Sequence, residues 1–244
     1  MHPLWFWLSI QLNCFFYGYF YLRETMSSRS ETIWVTNRVV SMVHALLTSL
    51  TAVWWLYQTG SEFSYTDPTT PWQMEIMYFS MSYFIVDLAY LVIVEWSLVY
   101  VVHHLCCLLV WWYILVLGRY GSLALFGLFW GETTNPVVLW WSLSKRFGRQ
   151  NLAKWLFRLM LFMFIPIRSV IIPVISVRAM SEIWASEHGI ITPMVMILSI
   201  VILVLGGIWW SYRLIRLAYR TGEISQWVYR CQTRLSNIYS RESP

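Results

Sequence analysis

The sequence contains few charged residues. Asp, Glu, Lys and Arg together make up 12% of its 244 residues, whereas 58% are hydrophobic and 18% are aromatic. The 17 Trp, 15 Tyr and 13 Phe are too many for a soluble core of this size, but they suit helices that contact lipid and its interfaces. The composition therefore predicts an integral membrane protein, with little of the chain left for a soluble domain.

The sequence also lacks the cysteine spacings of a zinc site. Its four cysteines, Cys14, Cys106, Cys107 and Cys231, form no paired pattern, and the adjacent Cys106 and Cys107 are poor disulfide partners. We interpret all four as free thiols, and Cys106 and Cys107 as core filling. We expect neither a metal nor a cofactor. The net charge of +5 comes from clustered loops, so nucleic acid is not an expected partner.

Seven apolar runs are each long enough to cross a bilayer, which takes about 20 helical residues. The first run lacks the basic flank of a cleavable signal peptide and is too long for one, so we expect it to remain as a helix. The fold class predicted is an all-α, polytopic membrane bundle. The spans lie at roughly residues 4–22, 39–57, 74–94, 98–117, 122–143, 155–177 and 191–212.

Basic residues concentrate on one side of these predicted spans. The opposite side holds Arg119 and Arg178. Arg168 is counted on neither side, because it lies inside the sixth span. This asymmetry predicts a luminal or extracellular N-terminus and a cytosolic C-terminus. The residues on the basic side are Arg23, Arg29, Arg38, Lys145, Arg146, Arg149, Lys154, Arg213, Arg216, Arg220, Arg230, Arg234 and Arg241.

This orientation can be tested in sealed microsomes. Protease added from outside should remove a tag at the C-terminus, and a tag inserted near Thr66 should be protected. The reverse pattern would show that the predicted orientation is inverted.

Ionisable residues of three spans fall at one depth, near the predicted cytosolic face. His103 and His104 begin the fourth span, His44 lies in the second, and Asp87 lies about two turns from the end of the third. A single buried His is more often a hydrogen-bond partner between helices than a catalyst, and we interpret His44 in this way. Adjacent histidines point about 100° apart, which favours a functional role for the pair.

Two further charges lie near the bilayer centre. The fifth span breaks at "GETTNP", which contains Glu132 and Asn135, and the sixth carries Arg168 between two prolines. A lone buried charge is costly in hydrocarbon, so Glu132 and Arg168 are expected either to pair or to face a polar chamber.

These motifs, in this order, resemble the TLC domain, which is named for TRAM, Lag1 and CLN8. The resemblance rests on "SYFIVD", the "HH" at His103 and His104, "GETTNP" and the arginine between prolines. It implies six helices around a cavity, with one further helix at the N-terminus. It also divides the chain into residues 1–33 with the first helix and a cytosolic loop, 34–220 with the TLC domain, and 221–244 with a cytosolic tail.

The ceramide synthases of this family use the histidine pair to transfer an acyl group from acyl-CoA to a sphingoid base. By resemblance, the catalytic candidates are His103, His104 and Asp87. Here Gly131 and Asn135 occupy positions that carry His and Asp in those enzymes. We therefore do not expect ceramide synthesis.

Two functions remain open. The first is a lipid-binding or lipid-processing protein of membrane lipid homeostasis, in the endoplasmic reticulum or plasma membrane, with membrane lipids as its partners. The second is a histidine-dependent acyltransferase with acyl-CoA as substrate. A proton-coupled transporter ranks third, because no internal repeat is evident. Candidate residues for the polar chamber are His44, Tyr83, Glu132, Asn135 and Arg168.

Overall fold

The computed structural model describes residues 3–60, 63–186 and 190–222, and this part of the chain is almost entirely helical. The predicted tail, from residue 223 onward, lies outside the described residues. The helices are α1 (Pro3–Leu22), α2 (Arg29–Thr59), α3 (Pro71–Ile93), α4 (Leu98–Leu117), α5 (Gly121–Glu132), α6 (Asn135–Arg146), α7 (Gln150–Pro166), α8 (Ile172–Ser186) and α9 (Ile191–Arg220).

The predicted all-α membrane bundle is confirmed. In the described part of the chain, five rods are long and apolar enough to cross a membrane: α2, α3, α4, the joined rod Gln150–Ser186, and α9. The helices α5 and α6 have 12 residues each and follow one another as a broken span, and α1 has 20 residues rich in aromatic side chains. These elements match the seven predicted spans.

Helix boundaries follow local sequence signals. Ser28 caps α2, and its hydroxyl accepts a hydrogen bond from the Glu31 amide. Thr70 and Gln73 form a reciprocal capping box at the start of α3, where Pro71 takes the first helical position. Gly118 ends α4 in the left-handed conformation, with φ of 64°, which a side chain would disfavour.

Two spans are interrupted in the region where polar residues collect. The chain turns at Thr133 and Thr134 between α5 and α6, just before Pro136. One π-helical turn, Ile167–Ile171, separates α7 from α8 and carries Arg168. Such turns adjust a helix that contains proline and are frequent at functional sites.

The bundle has one end rich in basic residues, which we call the basic end. There α2 begins, α6 ends and α9 ends, at residues that include Arg146 and Arg220. Six rods, α2, α3, α4, α5–α6, α7–α8 and α9, surround the interior, while α1 packs outside against α2 and α3. The predicted ring of six helices with one peripheral N-terminal helix is therefore present.

Candidate functional site

Two cavities meet inside the ring of helices. The larger, about 590 Å³, reaches the basic end, and the smaller, about 150 Å³, lies deeper between α4, α5, α8 and α9. Four residues line both cavities, and we call them the waist: Phe84, His103, Glu132 and Arg168. The waist thus separates an outer cavity from an inner cavity. Of the ionisable residues predicted at one depth, His103 lies at this boundary, while Asp87 and His104 line only the outer cavity.

His104 is held on both sides of its ring. Its Nε2 lies 2.8 Å from Oδ2 of Asp87, and its Nδ1 lies 2.8 Å from the carbonyl oxygen of Tyr100. The other Asp87 oxygen accepts a hydrogen bond of 2.9 Å from the Asn37 amide. Two acceptors facing one imidazole require both ring nitrogens to donate when Asp87 is ionised. His104 and Asp87 therefore join α4 to α3 through a buried side-chain contact.

His103 has no comparable partners. Its Nδ1 is buried without a hydrogen-bond partner, and its Nε2 lies 3.8 Å from Sγ of Cys107, one turn later on α4. The Trp210 ring packs edge-on against it, with centroids 5.1 Å apart. Because His103 also lines both cavities, it is the histidine of the pair that has a nitrogen free for a ligand or a reaction.

His44 lies behind the waist and does not line either cavity. It is 1% exposed, stacks on Tyr83 with centroids 3.9 Å apart, and its Nε2 lies 3.3 Å from the Ser80 hydroxyl. Its Nδ1 is 4.0 Å from the Glu132 carboxylate. His44 therefore lies against Tyr83 and Glu132, and both of these residues line the outer cavity. This geometry fits the interpretation of His44 as a partner between helices.

Glu132 and Arg168 are linked through Asn135. The side-chain amide of Asn135 donates a 2.8 Å hydrogen bond to Glu132, and its oxygen lies 3.5 Å from an Arg168 Nη. Arg168 donates in addition to the Gly131 carbonyl at the break between α5 and α6. A direct ion pair between Glu132 and Arg168 is not among the contacts of the described residues. Of the two expected arrangements, the structure therefore has the second: both charges face a shared cavity, and the Asn135 amide lies between them.

An arginine rim lines the outer cavity at the basic end, and none of its residues is among the predicted site residues. Arg213, Arg216 and Arg220 occupy one face of α9 at exposed positions. Arg38 of α2 completes the rim, and its guanidinium pairs with Glu95 at 2.7 Å. The spacing of three and four residues on α9 was a readable signal, because it places the arginines on one face.

The two cavities differ in character. Between the rim and the waist, the outer cavity has a mixed lining. Its polar side chains include Asp87, Glu95 and His104, and its apolar ones include Leu91, Met160 and Trp210. The inner cavity is lined almost entirely by apolar residues, including Val110, Leu128 and Ile200. The lining of the two cavities therefore changes from cationic at the basic end, to polar at the waist, to apolar in the interior.

Within the described residues, no three His, Cys, Asp or Glu side chains gather as a metal site would require. The side chains at the waist offer a free imidazole, a buried carboxylate and a guanidinium. These groups can bind an anion, accept a proton or stabilise a developing negative charge.

Comparison with known families decides the classification. A family model described as TLC domain (TRAM, LAG1, CLN8) matches residues 35–216. The chain belongs to the TLC domain family. The match covers all the candidate residues, from His44 in α2 to Arg168 in the π-helical turn. No curated protein and no solved structure matched the chain.

Membership of the TLC domain family agrees with the architecture. The matched range begins within α2 and ends within α9, so it contains the six rods around the cavities and excludes α1. The arginine rim lies partly at the edge of the match, because Arg216 is its last residue and Arg220 follows it.

Proposed function

We propose that this TLC domain protein binds a membrane amphiphile that has an anionic head group and an acyl chain, and so contributes to membrane lipid homeostasis. The observation that carries the proposal is the division of charge along the two cavities. Four arginines line the outer opening, and an apolar inner cavity lies beyond the waist. A phosphate group suits the arginine rim, since guanidinium groups bind phosphate through paired hydrogen bonds.

The orientation of the protein supports this assignment. We propose that the basic end faces the cytosol, because basic loops are retained there. The rim then lies at the level of anionic head groups, which are concentrated in the cytosolic leaflet. Two ligand sources share the required chemistry: an anionic phospholipid of the membrane, and a long-chain acyl-CoA from the cytosol.

The second candidate function is acyl transfer from acyl-CoA, and the free His103 favours it. His104 has both nitrogens engaged, so a histidine that acts as nucleophile or base is His103. Acyl-CoA bound in the proposed orientation has its phosphates at the rim and its chain directed inward. The thioester then comes near the waist that contains His103.

Removing two rim arginines should weaken binding of anionic ligands. An arginine near an anionic surface contributes about 1 kcal/mol, so Arg213→Ala with Arg216→Ala should reduce the affinity about thirtyfold. The measurement is native mass spectrometry of the purified protein with phosphatidic acid, long-chain acyl-CoA or phosphatidylcholine. The phosphatidic acid and acyl-CoA arms separate the two ligand sources.

Arg149→Ala is the matched control, because Arg149 is exposed at the same end but lines neither cavity. It should leave the affinities unchanged. Equal weakening by Arg149→Ala, or equal binding of phosphatidylcholine and phosphatidic acid, would contradict recognition by the rim.

A further inference from the structure

The structure separates two adjacent cysteines that the sequence could not distinguish. Cys107 lines the inner cavity directly beneath the waist, whereas Cys106 is 8% exposed and lines neither cavity. Sγ of Cys107 lies 3.8 Å from Nε2 of His103, within the range of a weak hydrogen bond to sulfur. The two side chains therefore form a thiol and imidazole pair at a cavity wall.

The surroundings of this pair point to a reacting group rather than to packing. In the tautomer in which the Cys107 thiol donates to Nε2, the hydrogen of neutral His103 is on Nδ1, which has no partner. Arg168 is 8% exposed and lines the same cavity, and its Nε also has no partner. Two buried polar groups without partners thus border the space next to the Cys107 thiol.

We propose that Cys107 accepts the acyl group of a long-chain acyl thioester, with His103 as the base that removes the thiol proton. The proposal rests on the proposed function, because the donor is held by the same rim and cavities. The inner cavity, of about 150 Å³, then holds the part of the acyl chain next to the new thioester. The apolar residues that line it, Val110, Leu128 and Ile200, are the surroundings an alkyl chain requires.

The step is a thioester exchange. The Cys107 sulfur attacks the carbonyl carbon of the acyl thioester while its proton passes to Nε2 of His103. The bond between that carbon and the CoA sulfur then breaks, and the CoA thiolate takes the proton from His103. One thioester is consumed and one is formed, so no further reactant is needed. The free Nε–H of Arg168 is a donor for the negative oxygen of the intermediate.

The test uses the full-length chain in which Cys14 and Cys231 are replaced by Ser, so that reaction at other thiols does not interfere. This protein is incubated with long-chain acyl-CoA, quenched in acid and examined by intact mass and peptide mapping. We expect one acyl-sized mass increase on the peptide that contains Cys107. Thioesters survive acid and are cleaved by neutral hydroxylamine, so the increase should disappear after that treatment.

Further substitutions in the protein that lacks Cys14 and Cys231 identify the residue that accepts the acyl group. Cys106→Ala should keep the adduct, Cys107→Ala should lose it, and Cys107→Ser should give at most an adduct that resists neutral hydroxylamine. His103→Gln should slow the reaction at least a hundredfold, because general base catalysis contributes about that much, while acyl-CoA binding persists. Thermal unfolding of each variant checks that the fold is kept.

The outcomes distinguish this proposal from the proposed function. If acyl-CoA binds and no adduct forms, or if the adduct maps to His103 or survives Cys107→Ala, the assignment of Cys107 is wrong and the binding function stands. If neither acyl-CoA nor phosphatidic acid binds, the proposed function fails as well.

Discussion

Replacing Asp87 by Ala should strongly destabilise the protein. Asp87 is 8% exposed and accepts hydrogen bonds from His104 and Asn37, which belong to two other helices. Its removal leaves the His104 ring with a buried N–H that has no acceptor, and breaking a buried pair in this way costs about 3 to 5 kcal/mol. The measurement is thermal or denaturant unfolding of the detergent-solubilised protein.

The adjacent histidines provide the control for this prediction. His103→Gln should cost about 1 kcal/mol or less, because the weak contact to Cys107 is the one hydrogen bond that its ring makes among the described residues. His104→Gln should destabilise far more, since both of its ring nitrogens are engaged. The loss of stability for Asp87→Asn should fall between those for His103→Gln and His104→Gln, because the amide oxygen still accepts a hydrogen bond from His104. Equal losses for His103→Gln and His104→Gln would contradict the division of roles.

That these ionisable residues lie close together could be predicted from sequence, but the contacts between them could not. Apolar run lengths predict His44, Asp87, His103 and His104 at one level. In the structure Asp87, His103 and His104 line the outer cavity, and His44 stacks on Tyr83 behind it. Whether His103 or His104 contacts Asp87 depends on how α4 is rotated about its axis relative to α3. Packing of many apolar side chains sets that rotation, and no single residue signals it.

The contacts of Glu132 and Arg168 show a second limit. The cost of lone buried charges correctly predicts that the two face a shared polar region. Charge alone favours a direct pair, whereas the structure places the Asn135 amide between them. An amide can donate to one group and accept from the other, and this role depends on the turn at Thr133 and Thr134, whose geometry the sequence does not specify.

The arginine rim and Cys107 were missed for a different reason. In the sequence the α9 arginines indicate orientation, and nothing in it shows that their common helix face borders a cavity. Cys107 has the same sequence surroundings as Cys106, and only the packing of α4 shows that one lines the inner cavity. Arginines at a helix end and cysteines in a core ordinarily have structural roles. The positions of these residues at the two cavities are what indicate a function.

Replacing Arg168 by Gln should be the other strongly destabilising change. Arg168 is 8% exposed, donates to the Gly131 carbonyl, and holds the π-helical turn against the break between α5 and α6. Removing it takes away the cation nearest to the buried Glu132 carboxylate, with an expected loss of about 3 to 5 kcal/mol in free energy of unfolding. Glu132→Gln should cost less, because the Gln oxygen still accepts from Asn135.

The Asn135 bridge predicts how these two losses combine. With Asn135 present, the double variant Glu132→Gln and Arg168→Gln should be less destabilised than the sum of the single changes, by about 1 to 2 kcal/mol. In an Asn135→Ala background this coupling should fall close to zero, because the amide that transmits it is absent. Thr134→Val is the matched control: it removes a 3.5 Å contact to Arg168 and leaves the bridge intact, so the coupling should persist. Coupling that survives Asn135→Ala unchanged would mean that the charges interact directly through the low-dielectric interior.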